Sequence, residues 1–256
     1  MKRITLNLTF LLASILMFGQ SYNLKDFEID SLPTIKNQWK SHNSKQHWSI
    51  SKTNDSIKIS NYDFNYFKGD KLPFNNREIA KKFNFQSTIR SIKKVENGFI
   101  IGLNGGEFGG GLWFLSKDGE SAYEIAPYKR IRQIFEFNNK TYVLEGLAHM
   151  GGNYGSLLEI KKEQKWKIHK TFNLPDAPNF AIFKNDIVLI ITSEHIMTFN
   201  EFDRLIKTVK APFYWGSFYP SSAITDKNDI FIAMRKGILK ISSFEYNTEY
   251  TWFVKK

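Results

Sequence analysis

Three glutamates could perform acid–base chemistry if the fold brought them together. They are Glu107, Glu145 and Glu194, which lie far apart in the sequence and each close to a glycine or a turn-forming residue. Most glycoside hydrolases hold two carboxylates about 5 to 9.5 Å apart around the scissile bond. An isolated glutamate can equally face solvent or bind loop amides, so the sequence leaves both roles open.

Other catalytic motifs are absent from the sequence. It holds no GxSxG nucleophile elbow, no GxxxxGK phosphate loop and no HExxH pair. The histidines show no metal-ligand spacing; they are His42, His47, His149, His169 and His195. We therefore expect no metal and no cofactor. We expect His149 and His195 to be hydrogen-bonding loop residues, and His42 and His47 to lie at the surface.

An aromatic segment, APFYWGSFYPSS at 211–222, brings Tyr214 and Trp215 close to two proline turns. Aromatic rings give a large contact area at low entropic cost, so the segment could stack on sugars or peptides. Packing between neighbouring structural units is the alternative. The strand tryptophans Trp113, Trp166 and Trp252 are expected in the core or between units.

The elements that position these residues come from an internal repeat. Asparagine-containing turns occur at Asn54, Asn97, Asn139, Asn185 and Asn228, in steps of 43, 42, 46 and 43 residues. Such turns favour tight hairpins, and the runs after them are rich in β-branched and aromatic residues. About four short strands fit each unit. This period predicts an all-β, five-bladed β-propeller with about four antiparallel strands per blade.

One stretch carries a family resemblance. The residues GGGLWF at 109–114, followed by Asp118-Gly119, resemble blades of uncharacterised bacterial exported β-propellers. The resemblance implies a propeller over residues 47–256. Residues 21–46 would be an N-terminal arm or a ring-closing strand. We expect no helix of three turns, and either a helical turn or a long loop at 67–85.

In such a propeller, the loops between second and third strands share one face with the connections between blades. Two of these loops are glycine-rich, NGGEFGGG at 104–111 and GLAHMGGNYG at 146–155. Their glycines serve either turn geometry or close approach of a ligand to the backbone. The residues predicted to bind a ligand on this face are Glu107, Phe108, His149, Asn153, Tyr154, Glu194, His195, Tyr214, Trp215 and Arg235.

The first twenty residues are typical of a secretory signal peptide. Lys2 and Arg3 precede a mainly apolar run of about fifteen residues, shorter than the roughly 20 that a spanning helix needs. The rival interpretation is a permanent membrane anchor. We expect a periplasmic or secreted protein with no transmembrane segment in the mature chain. The sequence has no cysteine, which excludes disulfides, cysteine–zinc sites and a cysteine-linked lipid.

The charge of the chain favours acidic partners. The formal net charge is +11, and +9 without Lys2 and Arg3 (11 − 2). An AT-rich genome would also enrich lysine, and the basic residues are scattered, so composition alone can explain the charge. Export argues against nucleic acid as a partner.

The sequence therefore leans towards a non-enzymatic binding protein that recognises an acidic glycan or an envelope protein as a monomer. The alternatives are a five-bladed carbohydrate-active hydrolase using Glu107, Glu145 and Glu194, and a protein-interaction or inhibitor module.

Overall fold

A computed structural model describes residues 21–53, 56–63, 68–200, 204–244 and 247–256. The predicted signal peptide and the turn at Asn54 lie outside the described residues. The N-terminal part contains β1 (Ser21–Tyr22), β2 (Phe27–Asp30), α1 (Ile35–His42), β3 (Trp48–Thr53), β4 (Ser56–Asn61), β5 (Lys68–Gly69) and α2 (Asn76–Lys82).

The remainder is almost entirely strand. The strands are β6 (Ile89–Val95), β7 (Gly98–Asn104), β8 (Gly110–Ser116), β9 (Ala122–Pro127), β10 (Ile131–Phe137), β11 (Lys140–His149), β12 (Gly152–Lys162), β13 (Trp166–Leu174), β14 (Pro178–Lys184), β15 (Ile187–Thr192), β16 (His195–Asn200), β17 (Leu205–Lys210), β18 (Ser222–Asp226), β19 (Asp229–Ala233), β20 (Gly237–Ser242) and β21 (Glu249–Lys255). Short 3-10 turns occupy Leu24–Asp26, Gly106–Phe108 and Trp215–Phe218.

The described strands form five sheets that follow one another along the chain. Their strand orders are β1-β4-β3 (sheet I), β5-β6-β7-β8-β9 (sheet II), β10-β11-β12-β13 (sheet III), β14-β15-β16-β17 (sheet IV) and β18-β19-β20-β21-β2 (sheet V). Neighbouring strands are antiparallel except for the short β5–β6 pair. The prediction of an all-β chain built from repeated four-stranded antiparallel units is confirmed, and the arrangement is of the β-propeller type.

The asparagine turns join the first two long strands in sheets II to V. The turn at Asn97 links Val95 to Gly98, and the equivalent turn at Asn185 links Lys184 to Ile187. Asn139 and Asn185 have positive φ angles of 59° and 50°, a conformation that asparagine tolerates better than most residues. The repeat read from the sequence therefore marks real hairpins.

Apolar layers pack between neighbouring sheets. Separate buried clusters join sheets II and III, III and IV, IV and V, and V and I, with Ile134, Leu144, Ile191 and Phe231 among their members. The other face of sheet II packs against α2 through Ile79. Complete burial of one such side chain contributes about 1.5 to 3 kcal/mol, so these layers dominate the cohesion of a chain without disulfides.

Polar side chains tie the inner strands of successive sheets together. Ser91 Oγ accepts a hydrogen bond from the Ile134 N–H at 2.9 Å, and Gln133 Oε1 accepts one from Ala181 at 2.8 Å. Ser222 Oγ likewise accepts from the backbone N–H of the first long strand in sheet I, at 2.8 Å. Each acceptor lies four residues before the end of its strand, as the strand bounds show. The contact is therefore a repeated feature of the fold.

Residues 21–46 contact both the sheets and one of their ends. β2 pairs with β21 at the outer edge of sheet V, and β1 pairs with β4 in sheet I. Helix α1 lies against the turn Trp215–Phe218. This two-turn helix was not predicted from the sequence, whereas α2 lies where a helical turn or long loop was expected.

The predicted loop GLAHMGGNYG is instead the end of a long hairpin, so that prediction was wrong. β11 and β12 pair as far as His149 opposite Gly152, which leaves Met150 and Gly151 as the turn. Both turn residues have positive φ, 45° and 83°, as a two-residue hairpin turn of the I′ type requires.

Candidate functional site

All ten residues predicted to bind a ligand lie at one end of the sheets, and the surface at this end is called the loop face here. It comprises the β7–β8, β11–β12, β15–β16 and β19–β20 connections together with the β9–β10, β13–β14 and β17–β18 connections. Hydrogen bonds and ion pairs between these connections show that they meet. The loop face is therefore a single surface built from sequence-distant segments.

Glu107 and His149 form a pair across two neighbouring sheets. Glu107 Oε2 lies 2.7 Å from His149 Nε2, and both side chains are a little over 40% exposed. Gly106 and Gly109 bracket Glu107 with φ angles of 64° and 102°, and a Cβ built at either would meet no atom within 4 Å. These glycines serve turn geometry, which leaves the pair open to solvent.

In the β11–β12 hairpin, Gly146 and Gly155 are required by close packing and not by turn geometry. A Cβ on Gly155 would lie 2.3 Å from Pro178 Cδ, and one on Gly146 would lie 2.8 Å from the same atom. Sheet III therefore needs glycine there because the start of β14 packs directly on its backbone. The close approach is made by the chain itself.

Asp176, which the sequence analysis did not single out, organises the β15–β16 connection. Its buried carboxylate accepts hydrogen bonds from Ser193 Oγ at 3.2 Å and from the Glu194 N–H at 3.0 Å. His195 Nδ1 lies 2.5 Å from Asp176 Oδ2. A proton on Nδ1 donates to this carboxylate, so the arrangement favours the tautomer with its lone pair on Nε2.

Asn153 connects this network to sheet III. Its Oδ1 accepts a hydrogen bond from the Ala177 N–H at 2.8 Å and lies 2.9 Å from Ser193 Oγ, whose single hydrogen it shares with Asp176. Its Nδ2 donates to Glu194 Oε1 at 3.2 Å. Asn153 thus holds the edge of the loop face in place, and Glu194 is oriented by it.

A cavity of about 600 Å³ opens between α1 and the connection from sheet IV to sheet V. Glu194 and Tyr214 reach its wall from the loop face, and Ile35 and Gln38 reach it from α1. Burial raises the pKa of the Tyr214 hydroxyl, and the nearby Glu194 carboxylate raises it further. The neutral phenol can donate a hydrogen bond to a ligand beside the carboxylate of Glu194.

Arg235 and His47 meet at the same end of the molecule. The Arg235 guanidinium lies 4.6 Å from the centre of the Tyr219 ring, and His47 Nε2 donates to the Tyr219 carbonyl oxygen at 2.9 Å. His47 is only 5% exposed, so the prediction that it lies at the surface was wrong. Burial lowers the pKa of its imidazole to about 4. His42 belongs to α1, but its side chain lies outside the described part of the structure, so its predicted surface position stays a prediction.

Two predicted site residues belong to the interior. Trp215 is completely buried between sheets IV and V, and its indole N–H donates to the Thr192 carbonyl at 2.8 Å. It cannot contact a ligand there, so the packing alternative holds for this ring. Glu145 is buried and its Oε1 lies 3.1 Å from Lys129 Nζ, which makes it a structural ion pair.

The three candidate carboxylates therefore have separate partners. Glu107 pairs with His149, Glu145 with Lys129, and Glu194 with Asn153. Each carboxylate is therefore held by a different polar neighbour.

Two arginines occupy equivalent β-bulges and were missed in the sequence. Arg90 in β6 and Arg132 in β10 each interrupt the pairing of the first long strand with the second. Arg132 Nε donates to the Gly146 carbonyl at 3.2 Å. Burial and the charge of Arg90 lower the pKa of Arg132.

Neither arginine forms an ion pair within the described ranges. The similar stretches TIRSI and RIRQI could have revealed them.

No cluster of three or more histidine, aspartate or glutamate side chains suited to a metal ion occurs in the described part of the chain. In that part there is also no helix long and apolar enough to span a membrane.

Comparisons with known proteins give no family. No family model matches the sequence, and no curated protein matches it. Similar solved structures include virginiamycin B lyase from Staphylococcus aureus, at 15% identity over 63% of this chain and 54% of that one, TM-score 0.43. AztD from Citrobacter koseri is 9% identical over 65% and 47%, TM-score 0.41. A luciferin-regenerating enzyme is 16% identical over 63% and 59%, TM-score 0.43.

The chain spans about half the length of these structures, which are of the β-propeller type. At this degree of similarity, the description of the fold depends on the sheets themselves.

Proposed function

We propose that the protein is an exported five-bladed β-propeller that binds an acidic glycan or protein through its loop face, without catalysis. It would act as a monomer in the periplasm or outside the cell, as the basic, apolar N-terminal residues predict.

The count of five blades is supported by the five successive sheets and by the repeated contact between inner strands. Ser91, Gln133 and Ser222 make this contact from sheets II, III and V. Sheet I would be the fifth blade, although it has three strands in the described residues.

The observation that carries the binding proposal is the position of exposed apolar side chains. Thirteen large apolar residues of the described chain are exposed. Eight of them lie on the loop face or on the helix α1 that borders it: Ile35, Trp39, Phe108, Tyr128, Met150, Tyr154, Tyr214 and Tyr219. Exposed apolar side chains gathered on one surface are typical of interaction sites, where aromatic residues and methionine are enriched.

Cationic groups at the same end favour an acidic ligand. Within the described ranges, Arg90 and Arg132 lack carboxylate partners, and Arg130 donates only to the backbone oxygens of Gly106 and Tyr128. A guanidinium can bind a carboxylate or sulfate with two parallel hydrogen bonds. The chemistry of the loop face therefore combines aromatic contact with anion recognition.

The test is a binding titration with heparin and polygalacturonate as acidic probes and dextran as a neutral one. Acidic probes should bind and lose affinity as salt rises, and Arg132→Gln should weaken them by about tenfold. Arg77→Gln, on α2, is the matched control. Equal binding of dextran, or no effect of Arg132→Gln, would contradict recognition of an acidic glycan. If neither acidic probe binds, the wild-type protein should capture an acidic protein from envelope extract. The Phe108→Ser variant should fail to capture it.

A second candidate function follows from Asp176 and His195. In hydrolases a buried aspartate that accepts from Nδ1 orients a histidine whose Nε2 acts as general base. We propose as the alternative that His195 acts in this way on a substrate in the cavity beside Glu194. Chromogenic ester and glycoside panels would test it: turnover that His195→Gln abolishes supports an enzyme, and no turnover supports a binding protein.

A further inference from the structure

A second cavity lies at the end of the sheets opposite the loop face, between sheets IV and V. Its volume is about 340 Å³, within the range of roughly 300 to 1,000 Å³ of small-molecule sites. Ile187, Leu189, Ile206, Ile230 and Phe244 supply its apolar lining. This cavity is separate from every residue assigned to the loop face.

The cavity lies where this layer lacks three rings that occupy the matching positions of the neighbouring layer. At the same place between sheets III and IV, Phe137, Tyr142 and Phe199 pack together and leave a volume of only about 10 Å³. The residues at the matching strand positions between sheets IV and V are Lys184, Leu189 and Ile241. Smaller or charged side chains therefore replace three rings, and the space is not needed by the fold.

Lys207 gives the cavity a cationic group at its rim. Lys184 also lines the cavity, and no carboxylate belongs to the lining among the described residues. Lys207 Nζ lies 4.8 Å from the centre of the Phe244 ring and donates to the Phe244 carbonyl oxygen. An ammonium group has three N–H donors, so Lys207 can also donate to a ligand without losing this contact.

We propose that this cavity binds a small amphipathic carboxylic acid. The apolar chain occupies the space between Leu189 and Ile230, and the carboxylate lies at the rim against Lys207. The charge of the rim complements a single anionic head group, and the apolar lining excludes a sugar.

The experiment is calorimetric titration of the full mature chain with octanoate and with octan-1-ol, which has the same chain length and no charge. Octanoate should bind and octanol should bind about tenfold more weakly. Lys207→Met should remove this preference by weakening octanoate alone. Lys184→Phe should abolish binding of both, because it introduces the ring that fills the neighbouring layer.

Lys170→Met is the matched control, because Lys170 pairs opposite Glu159 as Lys207 pairs opposite Thr198. It should leave both titrations unchanged. Methyl resonances of Ile187 and Ile230 should shift on octanoate addition, whereas that of Ile134, in another layer, should not. No binding at millimolar octanoate, equal binding of octanol, or unaltered binding by folded Lys184→Phe would each overturn the proposal.

Discussion

His47 and Tyr219 join the beginning of β3 to the connection between sheets IV and V. The His47 Nε2 donates to the Tyr219 carbonyl at 2.9 Å, and the Tyr219 ring in turn lies under the Arg235 guanidinium. The His47 ring also lies against that of Tyr62, with centroids 4.5 Å apart. A protonated imidazole here would be buried beside an arginine, so the junction between sheets I and V requires neutral His47.

This junction predicts a pH-dependent stability. The pKa of His47 falls from 6.5 to about 4 in the folded state. Between those values the unfolded chain binds a proton that the folded chain does not, so the free energy of unfolding decreases as pH falls through this window. The loss should amount to about 3 kcal/mol by pH 4, measured by urea denaturation at several pH values.

His47→Gln isolates this contribution from that of the carboxylates, because an amide can donate to Tyr219 and does not titrate. The variant should lose about 3 kcal/mol less than the wild type between pH 6.5 and 4. Parallel pH curves for the two proteins would contradict a buried neutral His47.

The hydrogen bond between Asp176 and His195 predicts strong coupling of the two side chains. Asp176→Asn leaves one acceptor oxygen in place of two and puts a donating amide group where the carboxylate now accepts, so it should destabilise the fold by about 1 to 3 kcal/mol. His195→Gln in the same background should add less than it does alone, since the partner is already lost. Denaturation of the two single variants and the double variant measures this coupling. Strict additivity of the two losses would show that Asp176 and His195 do not stabilise each other.

Local features of the fold could be predicted from the sequence, and long-range ones could not. The turns at Asn97, Asn139, Asn185 and Asn228 depend on a few adjacent residues, so the repeat is visible in the sequence. The burial of Trp215 depends on two sheets that meet around it. Similarly, Glu145 pairs with a lysine of the preceding connection, which only the register of β10 and β11 determines.

The same contrast holds for the candidate site. Strand order alone predicted which connections share the loop face. The role of Asp176 was not predicted, because an aspartate in the sequence Pro175-Asp176-Ala177-Pro178 is typical of an ordinary turn. Its role depends on Ser193 and His195, residues of the next hairpin. The repeat therefore predicted the position of the loop face, whereas the hydrogen bonds on it depend on contacts between residues that are distant in the sequence.

The hydrogen bond between Gln133 and Ala181 allows the contribution of the contact between β10 and β14 to be measured. Gln133→Ala leaves the Ala181 N–H without its partner and should cost about 1 to 3 kcal/mol of unfolding free energy. Gln164→Ala, an exposed residue between β12 and β13, is the control and should change stability by less than about 0.5 kcal/mol. Equal effects of the two substitutions would mean that the repeated contact does not stabilise the sheets.

The approach of Pro178 to the β11–β12 hairpin gives the last prediction. A methyl group at Gly155 would lie 2.3 Å from Pro178 Cδ and 3.0 Å from the Asp176 carbonyl oxygen, so Gly155→Ala must displace the connection that carries Asp176. We expect a loss of about 1 to 3 kcal/mol from overpacking. Gly152→Ala is the matched control near the same turn, because the nearest atom to its Cβ is the His149 carbonyl oxygen at 3.3 Å. Histidine NMR should show a shifted His195 resonance only in Gly155→Ala, since the strain reaches His195 through Asp176. A stable Gly155→Ala variant with an unchanged His195 signal would show that the glycine does not set this geometry.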